Sequence, residues 1–165
     1  MKATDFIAAA LEGGRVWMET LLGDIDGPDA LVAPTPKGGN HAMWILGHLT
    51  LSEASIFESF IRGAGPAMPD WQPLFGMGTQ AVADASPYPS KAELLARHRD
   101  VRAQVLAHLA GLSDADLDKP SHAEQFTEMF GTVGRCFAVM INHQMFHAGQ
   151  LADIRRALGR KPVFG

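Results

Sequence analysis

Helical spacing of apolar residues is the feature that most constrains the fold of this chain. Four long segments carry apolar residues at intervals of three and four, and three stretches rich in Gly, Pro and Asp separate them. No segment alternates apolar and polar residues with the period of two that is typical of a half-buried strand. The sequence therefore predicts an all-α fold, and specifically a four-helix bundle.

Local signals give the predicted helices their bounds. The first is interrupted by Gly13 and Gly14, whereas the third starts at Ser90 and Glu93, which form a capping box. The first predicted helix runs from Thr4 to Leu22, with Phe6, Ala10, Trp17 and Leu21 as apolar positions, and the second runs from its N-cap, Asn40, to Arg62. The third starts at Ser90 and has Leu94, Val101, Val105 and Leu109 as its buried stripe. The fourth follows Gly131-Thr132 and runs to Leu158, with Gly159 at C′ and with Val133, Phe137, Met140, Leu151, Ile154 and Leu158 as apolar positions.

The connection between the second and third predicted helices is long and rich in proline. Residues 64–89 carry Pro66, Pro69, Pro73, Pro87 and Pro89, a pattern too broken for regular structure and too long for a tight helical hairpin. We therefore expect a long crossover, after which the third helix runs parallel to the second.

Length and composition restrict the organisation and the partners of the chain. Its 165 residues fit a single domain over residues 1–165. The formal net charge is −4, and the one basic cluster, at Arg155, Arg156, Arg160 and Lys161, complements the dipole of the last helix, so we expect no nucleic-acid partner.

Cysteine content and the absence of a long apolar run indicate the compartment. Cys136 is the only cysteine and cannot form an internal disulfide. An acid, Asp5, stands where a secretion signal would build its apolar core, and no run of about 18 apolar residues is present. These features predict a cytoplasmic protein without a membrane partner.

Two histidines in the last predicted helix indicate a metal site. His143 and His147 are four residues apart, so they lie on one helix face and can share a divalent ion. His48, in an apolar run of the second helix, is the best third ligand, because an unpartnered imidazole would be costly to bury there. Three neutral imidazoles would leave Zn²⁺ or Ni²⁺ an open position, which favours a catalytic site. The alternative is that all three are core histidines satisfied by backbone or water.

Neighbouring residues refine this prediction. Gln144 stands where the general base of a zinc protease would be, which argues against peptide hydrolysis. Gln150 shares the histidine face and either orients an imidazole or is simply a polar residue near solvent. His98 is a candidate fourth ligand, although a hydrogen-bonded core histidine is favoured. We further expect His41 at the entrance of the site, His108 and His122 at the surface, Cys136 in the core and Gly149 at a close helix contact, with Ser52 and Glu53 as weaker candidates near His48 and exposure favoured for Glu53. Trp44, Phe57, Trp71, Phe75 and Met77 can form an apolar wall over the metal if the long connection folds over it. Core packing is the default for Trp44 and Phe57, whereas Trp71, in a Pro-rich loop, is more suggestive of a lid.

Three motifs together resemble the DinB/YfiT-like superfamily. They are Trp-Ile-Leu-Gly-His-Leu at residues 44–49, Leu-Ser-Asp-Ala-Asp-Leu at 112–117, and His-x-x-x-His-x-Gly-Gln-Leu at 143–151. The resemblance covers nearly the whole chain. The last motif is moderately specific, because the Gly-Gln-Leu after the histidine pair and the earlier Gly-His-Leu are much less common than the pair itself.

The resemblance implies a four-helix bundle of up-down-down-up connectivity, often a homodimer, in which His48, His143 and His147 hold a divalent metal. It also implies an enzyme that uses a low-molecular-weight thiol, as bacillithiol transferases and the mycothiol-dependent maleylpyruvate isomerase do. Ala148 departs from the arginine that the family often carries at this position, so no anion contact is expected there.

The leading hypothesis is a metal-dependent enzyme in which the ion activates a small thiol for attack on an electrophilic substrate. The reaction class rests on the resemblance, whereas the metal site rests on residue spacing as well. The alternatives are a non-catalytic metal-binding or stress-response protein and a bundle that serves chiefly for dimerisation.

Overall fold

The computed structural model describes residues 1–163, and within that range every regular element is helical. Four long helices dominate: α1 (Ala3–Leu22), α2 (Ala42–Ser55), α3 (Lys91–Ala110) and α4 (Val133–Ala157). The shorter segments are 3₁₀-helices at Gly27–Leu31, Pro69–Trp71 and Asp114–Asp118, a π-helix at Ile56–Ile61 that continues α2, and α-helical turns at Gln72–Phe75 and Thr127–Phe130. The all-α prediction is confirmed.

The ends of the helices follow their capping residues. At α3 the Ser90 hydroxyl accepts from the Glu93 amide at 3.2 Å and the Ser90 amide donates to the Glu93 carboxylate at 2.8 Å, which confirms the capping box. Gly159 has a φ of +66° at the predicted C′ position of α4. The N-cap prediction for α2 was wrong by one residue: it is His41, whose Nδ1 accepts from the Trp44 amide at 3.1 Å, and not Asn40.

The buried face of α1 agrees with the predicted one only in part, since Leu21 is buried but other predicted positions face solvent. Phe6 and Trp17 are 62% and 47% exposed, whereas Leu11 and Met18 are fully buried. Gly14, expected to interrupt the helix, is instead buried within it. The predicted stripes of α3 and α4 are confirmed except at Leu158, which is half-buried: the buried positions are Leu94, Val101, Val105, Leu109, Val133, Phe137, Met140, Leu151 and Ile154.

The long second connection packs on α2. Its short helices at Pro69–Trp71 and Gln72–Phe75 correct the expectation that residues 64–89 lack regular structure, because proline in the first turn of a helix is well tolerated. Phe75 is fully buried, and its ring lies on the backbone of Gly47 in α2. This connection therefore reaches the helix that carries His48.

A hydrogen bond and ion pairs join the basic end of α4 to the end of α1 and to the loop that follows it. Arg155 donates to the Leu21 carbonyl at 2.9 Å and pairs with Asp24, and Arg160 donates to Asp29 at 2.7 Å. These pairs give the basic cluster a structural role beyond the helix dipole. No helix within residues 1–163 is long and apolar enough to cross a bilayer.

Packing between the long helices brings the histidine-bearing elements together. α1 packs chiefly on α4, α2 packs on α3, and α2 also packs on α4. The direction of each helix and the single-domain organisation stay predictions, and Phe164 and Gly165 of the predicted domain lie outside the described residues.

Candidate metal centre

His48, His143 and His147 converge between α2 and α4. The Nε2 atom of His143 lies 3.3 Å from that of His48 and 3.0 Å from that of His147. One ligand atom of each residue lies within 4.8 Å of the other two. The structure thus brings His48, selected for its apolar surroundings, to the pair His143 and His147, selected by their spacing, and the three can hold one metal ion.

Partners on the far side of the rings orient two of the imidazoles. His48 Nδ1 donates to the Phe75 carbonyl at 2.7 Å, and His147 Nδ1 donates to Gln150 Oε1 at 2.9 Å. Because these oxygens only accept, Nδ1 carries the proton in both rings and Nε2 presents a lone pair. Of the two alternatives that the sequence left open for Gln150, the structure thus shows the contact with an imidazole.

The three ring nitrogens suit a shared cation. His143 Nε2 faces two acceptors, and as a donor it has one proton, which can serve only one of them. A divalent ion would satisfy all three lone pairs at once. An all-nitrogen set of imidazoles is suited to either Zn²⁺ or Ni²⁺, so the donor set fits both predicted metals.

Burial keeps these imidazoles in the neutral form that binds metal. Burial, with smaller contributions from His147 and His48, lowers the pKa of His143 from 6.5 to about 4. Burial also lowers the pKa of His147 to about 4, although the hydrogen bond that its ring donates to Gln150 raises it, and burial lowers the pKa of His48. The site therefore needs no deprotonation before it binds metal at pH 7.

Aromatic residues flank the three rings. The Trp44 indole stacks on His48 with ring centroids 4.5 Å apart, and its Nε1 donates to Thr79 Oγ1 at 3.1 Å. The exposed Phe146 ring lies edge-on to His147, with centroids 5.3 Å apart. Of the residues considered for an apolar wall, Trp44 therefore lies at the site through its ring, and Phe75 lies there through the carbonyl that binds His48.

Phe57 and Met77 lie outside the apolar wall considered for the metal, and the core position favoured for Phe57 is confirmed. Phe57 lies in the π-helix that continues α2, and it packs against His108 in a different core cluster from that of Trp44. Met77 is 94% exposed and covers nothing. Trp71 contacts Phe75, with ring centroids 5.1 Å apart, and so supports the site indirectly.

Two functional contacts were missed by sequence reasoning: the Phe75 carbonyl and the Thr79 hydroxyl. Every residue has a backbone carbonyl, so the sequence does not indicate which one will bind His48. The available signal was Gly47, since a glycine inside a helix often marks a close approach by another part of the chain.

Gly47→Ala should weaken metal binding. A Cβ at residue 47 would lie 2.2 Å from the Phe75 ring, which must move and take with it the carbonyl that orients His48. We expect roughly tenfold weaker Zn²⁺ binding in a competition titration.

Gly149→Ala is the matched control. The prediction of a close helix contact at Gly149 was wrong, because a Cβ there meets no described atom within 4 Å. This exposed alanine should leave Zn²⁺ affinity unchanged and stabilise α4 by about 0.5–1 kcal/mol. Equal Zn²⁺ affinity in both variants would contradict the role assigned to Gly47.

The remaining histidines lie away from the ion site. His41 is buried as the cap of α2 and its Nε2 donates to the Val82 carbonyl at 2.9 Å, so the prediction of an entrance residue was wrong. His98 is 1% exposed and its Nδ1 lies 3.4 Å from Thr50 Oγ1; it is a core histidine outside the convergent group. His122 is exposed and His108 is half-buried.

His98 should make the metal-free protein less stable in acid. Burial lowers its pKa from the ordinary 6.5, so below that pH the unfolded chain binds a proton that the folded chain does not. The free energy of unfolding therefore falls as the pH drops below about 6.5. His98→Leu should reduce this slope in urea titrations across a pH series, and an unchanged slope would contradict the assignment.

Glu53, Gln144 and Cys136 have structural roles. Glu53 is buried and its carboxylate pairs with Arg102, which corrects the expected exposure. Gln144 is also bound to Arg102, at 2.6 Å. Cys136 is a core residue, as predicted, and burial raises the pKa of its thiol to about 11. None of the three is placed to act as a nucleophile or base.

Comparison with known proteins decides the family. The sequence model of the DinB superfamily matches residues 10–151. The chain belongs to the DinB superfamily. The resemblance drawn from the three motifs is thereby confirmed, and the three convergent histidines are those of a DinB-superfamily protein.

A solved structure shares the fold of this DinB-superfamily chain. It is a crystal structure of a conserved protein from Enterococcus faecalis, with a TM-score of 0.74 and 17% sequence identity, and the match covers 97% of this chain and 99% of the other. At this identity the likeness shows the fold alone. No curated protein matches the sequence.

Proposed function

We propose that this DinB-superfamily chain is a metal-dependent enzyme in which His48, His143 and His147 bind Zn²⁺ or Ni²⁺. The proposed reaction is transfer of a small thiol to an electrophilic substrate, of the S-transferase or thiol-dependent isomerase type. The observation that carries the proposal is the convergence of three Nε2 atoms, two of them with lone pairs fixed by hydrogen bonds at Nδ1.

The donor set supports catalysis over a purely structural role. Only three neutral side chains converge among the described residues, which leaves room in a coordination shell of four or more. A divalent ion held in this way supplies a Lewis acid that lowers the pKa of a small thiol. In the transferase case the thiol loses its proton to solvent, its sulfur forms a bond to the electrophilic carbon, and the leaving group departs with the bonding electron pair.

The protein residues of the site hold and orient the ligands. The Phe75 carbonyl and Gln150 fix the ring orientation of His48 and His147. Trp44, stacked on His48, covers one face of that imidazole. A reducing cytoplasm, in which small thiols persist, is the compartment that fits this reaction.

Contacts at the helix ends support the up-down-down-up connectivity that we propose for the bundle. Lys91, at the start of α3, donates to the carbonyl of Leu22, the last residue of α1, at 2.7 Å and to that of Ile25, in the loop just after it, at 2.9 Å. Arg155 near the end of α4 donates to Leu21 near the end of α1. Thr50 on α2 contacts His98 on α3, and further along Glu53 contacts Arg102, so residue numbers rise in the same direction on both helices, as they do in a parallel pair.

We also propose a homodimer. Exposed apolar side chains on α1 and α4, among them Phe6, Met145 and Phe146, support it as apolar surface that such an interface would cover. Sedimentation equilibrium should give twice the chain mass, and a monomer at micromolar concentration would contradict the dimer.

Metal analysis with a thiol titration tests the proposed function. Wild type and the control His122→Ala should each hold one Zn²⁺ or Ni²⁺ per chain by elemental analysis, and His147→Ala should lose most of it. A panel of small thiols should then perturb the visible spectrum of Ni²⁺-loaded wild type. Equal metal in all three proteins would remove His147 from the site, and a spectrum that no thiol perturbs would contradict the transferase proposal.

A further inference from the structure

A buried arginine on α3 connects all four long helices. Arg102 is 1% exposed, and its Nε and Nη2 each donate at 2.6 Å to one carboxylate oxygen of Glu53 on α2. Nη2 also donates to Gln144 Oε1 on α4 at 2.6 Å, and Nη1 donates to the Leu11 carbonyl on α1. One side chain therefore fixes α1, α2 and α4 relative to α3.

Two of these contacts lie close in sequence to the three histidines. Gln144 directly follows His143, and Glu53 comes little more than one helical turn after His48. Arg102 therefore holds α2 and α4, the helices that carry the convergent histidines, at points near them. A shift of either helix along its axis would change the distance between His48 and the pair on α4.

Stability alone explains this cluster poorly. Arg102 only donates, so Gln144 must turn its oxygen toward it, and the Gln144 amide nitrogen is left buried without a hydrogen-bond partner. A buried donor without a partner destabilises the fold, and buried ion pairs are often replaceable by apolar residues at no loss. Gly14 accommodates the amide, since a Cβ there would lie 2.2 Å from Gln144 Nε2.

We propose that Arg102 is a positioning residue for the metal centre, which sets the register of α2 against α4 through Glu53 and Gln144. Such a role accounts for the unpaired amide, because a leucine at residue 144 would fill the space but could not bind Arg102. This inference rests on the proposed metal binding by His48, His143 and His147.

Gln144→Leu separates positioning from stability. The variant keeps the Arg102–Glu53 pair and removes the contact to α4 together with the unpaired amide. Titration with Co²⁺ should show roughly tenfold weaker binding and altered intensity of the visible bands of the bound ion, which report coordination geometry. Urea unfolding of the metal-free variant should show little change in stability, because the unpaired amide is removed while one N–H of Arg102 loses its acceptor.

Met140→Leu is the matched control, since Met140 is a buried residue of α4 one turn before Gln144. It should leave the affinity and the spectrum unchanged. If Gln144→Leu binds Co²⁺ with the affinity and spectrum of wild type, or if Met140→Leu weakens binding equally, the positioning role is overturned.

A double-mutant cycle with Arg102→Lys gives a second measurement. Lysine keeps the charge beside Glu53 but cannot bind both partners through a planar fork. The losses in Co²⁺ affinity from Arg102→Lys and Gln144→Leu should not add, because both break the same contact. Additive losses would overturn the proposal. Wild type that binds no Co²⁺ would overturn the proposed function as well, whereas a normal wild-type titration with unaffected variants would overturn only the role of Arg102.

Discussion

His143→Ala should abolish stoichiometric Zn²⁺ binding. The Nε2 atom of His143 lies 3.3 Å from that of His48 and 3.0 Å from that of His147, so removing it leaves only two of the three ligand nitrogens. Because loss of groups that merely orient a ligand costs about 10–100-fold in affinity, loss of the ligand itself should cost roughly a hundredfold or more. A competition titration against a chromophoric chelator measures this loss.

His122→Ala controls for the loss of an imidazole as such, because His122 is exposed and outside the convergent group. It should bind Zn²⁺ as wild type does. Retention of wild-type affinity by His143→Ala would mean that the ion binds elsewhere.

Arg102→Met should lower the free energy of unfolding more than any of the other single substitutions proposed. It leaves the Glu53 carboxylate, whose side chain is 7% exposed, buried without its partner. Breaking a buried pair in this way costs about 3–5 kcal/mol, a large share of the stability of a small domain. The free energy of unfolding in urea should fall by that amount.

Arg97→Met is the control on the same helix. Arg97 pairs with Asp100, but the two side chains are 46% and 55% exposed, so the loss should stay within about 1 kcal/mol. The double variant Arg102→Met/Glu53→Leu should recover most of the stability lost in Arg102→Met, because no buried charge remains. Equal stability of Arg102→Met and wild type would show that the Glu53 carboxylate tolerates burial alone.

Features set by neighbouring residues were predictable from the sequence. The capping box at Ser90 and Glu93 involves residues three apart, and the histidine pair on α4 requires only helical periodicity. His48 could be chosen because an imidazole inside an apolar helix needs a partner. The family resemblance then agreed with these three positions.

Features set by contacts between distant residues were not predictable. Gly14 resembles a helix breaker in sequence, but its missing side chain makes room for Gln144, which lies on another helix. Glu53 was expected at the surface because a carboxylate is rarely buried without a cation, and nothing near it in sequence indicates Arg102. The start of α2 was misplaced because an imidazole nitrogen can accept from a helix amide as an asparagine oxygen does.

X-ray absorption at the metal edge of purified, loaded protein tests the three-histidine centre most directly. A three-histidine centre predicts one ion per chain, with three imidazole nitrogens at about 2.0–2.1 Å and at least one further oxygen ligand that is replaced by sulfur when a thiol is added. A shell with fewer than three imidazoles, or one unchanged in His143→Ala, would contradict it.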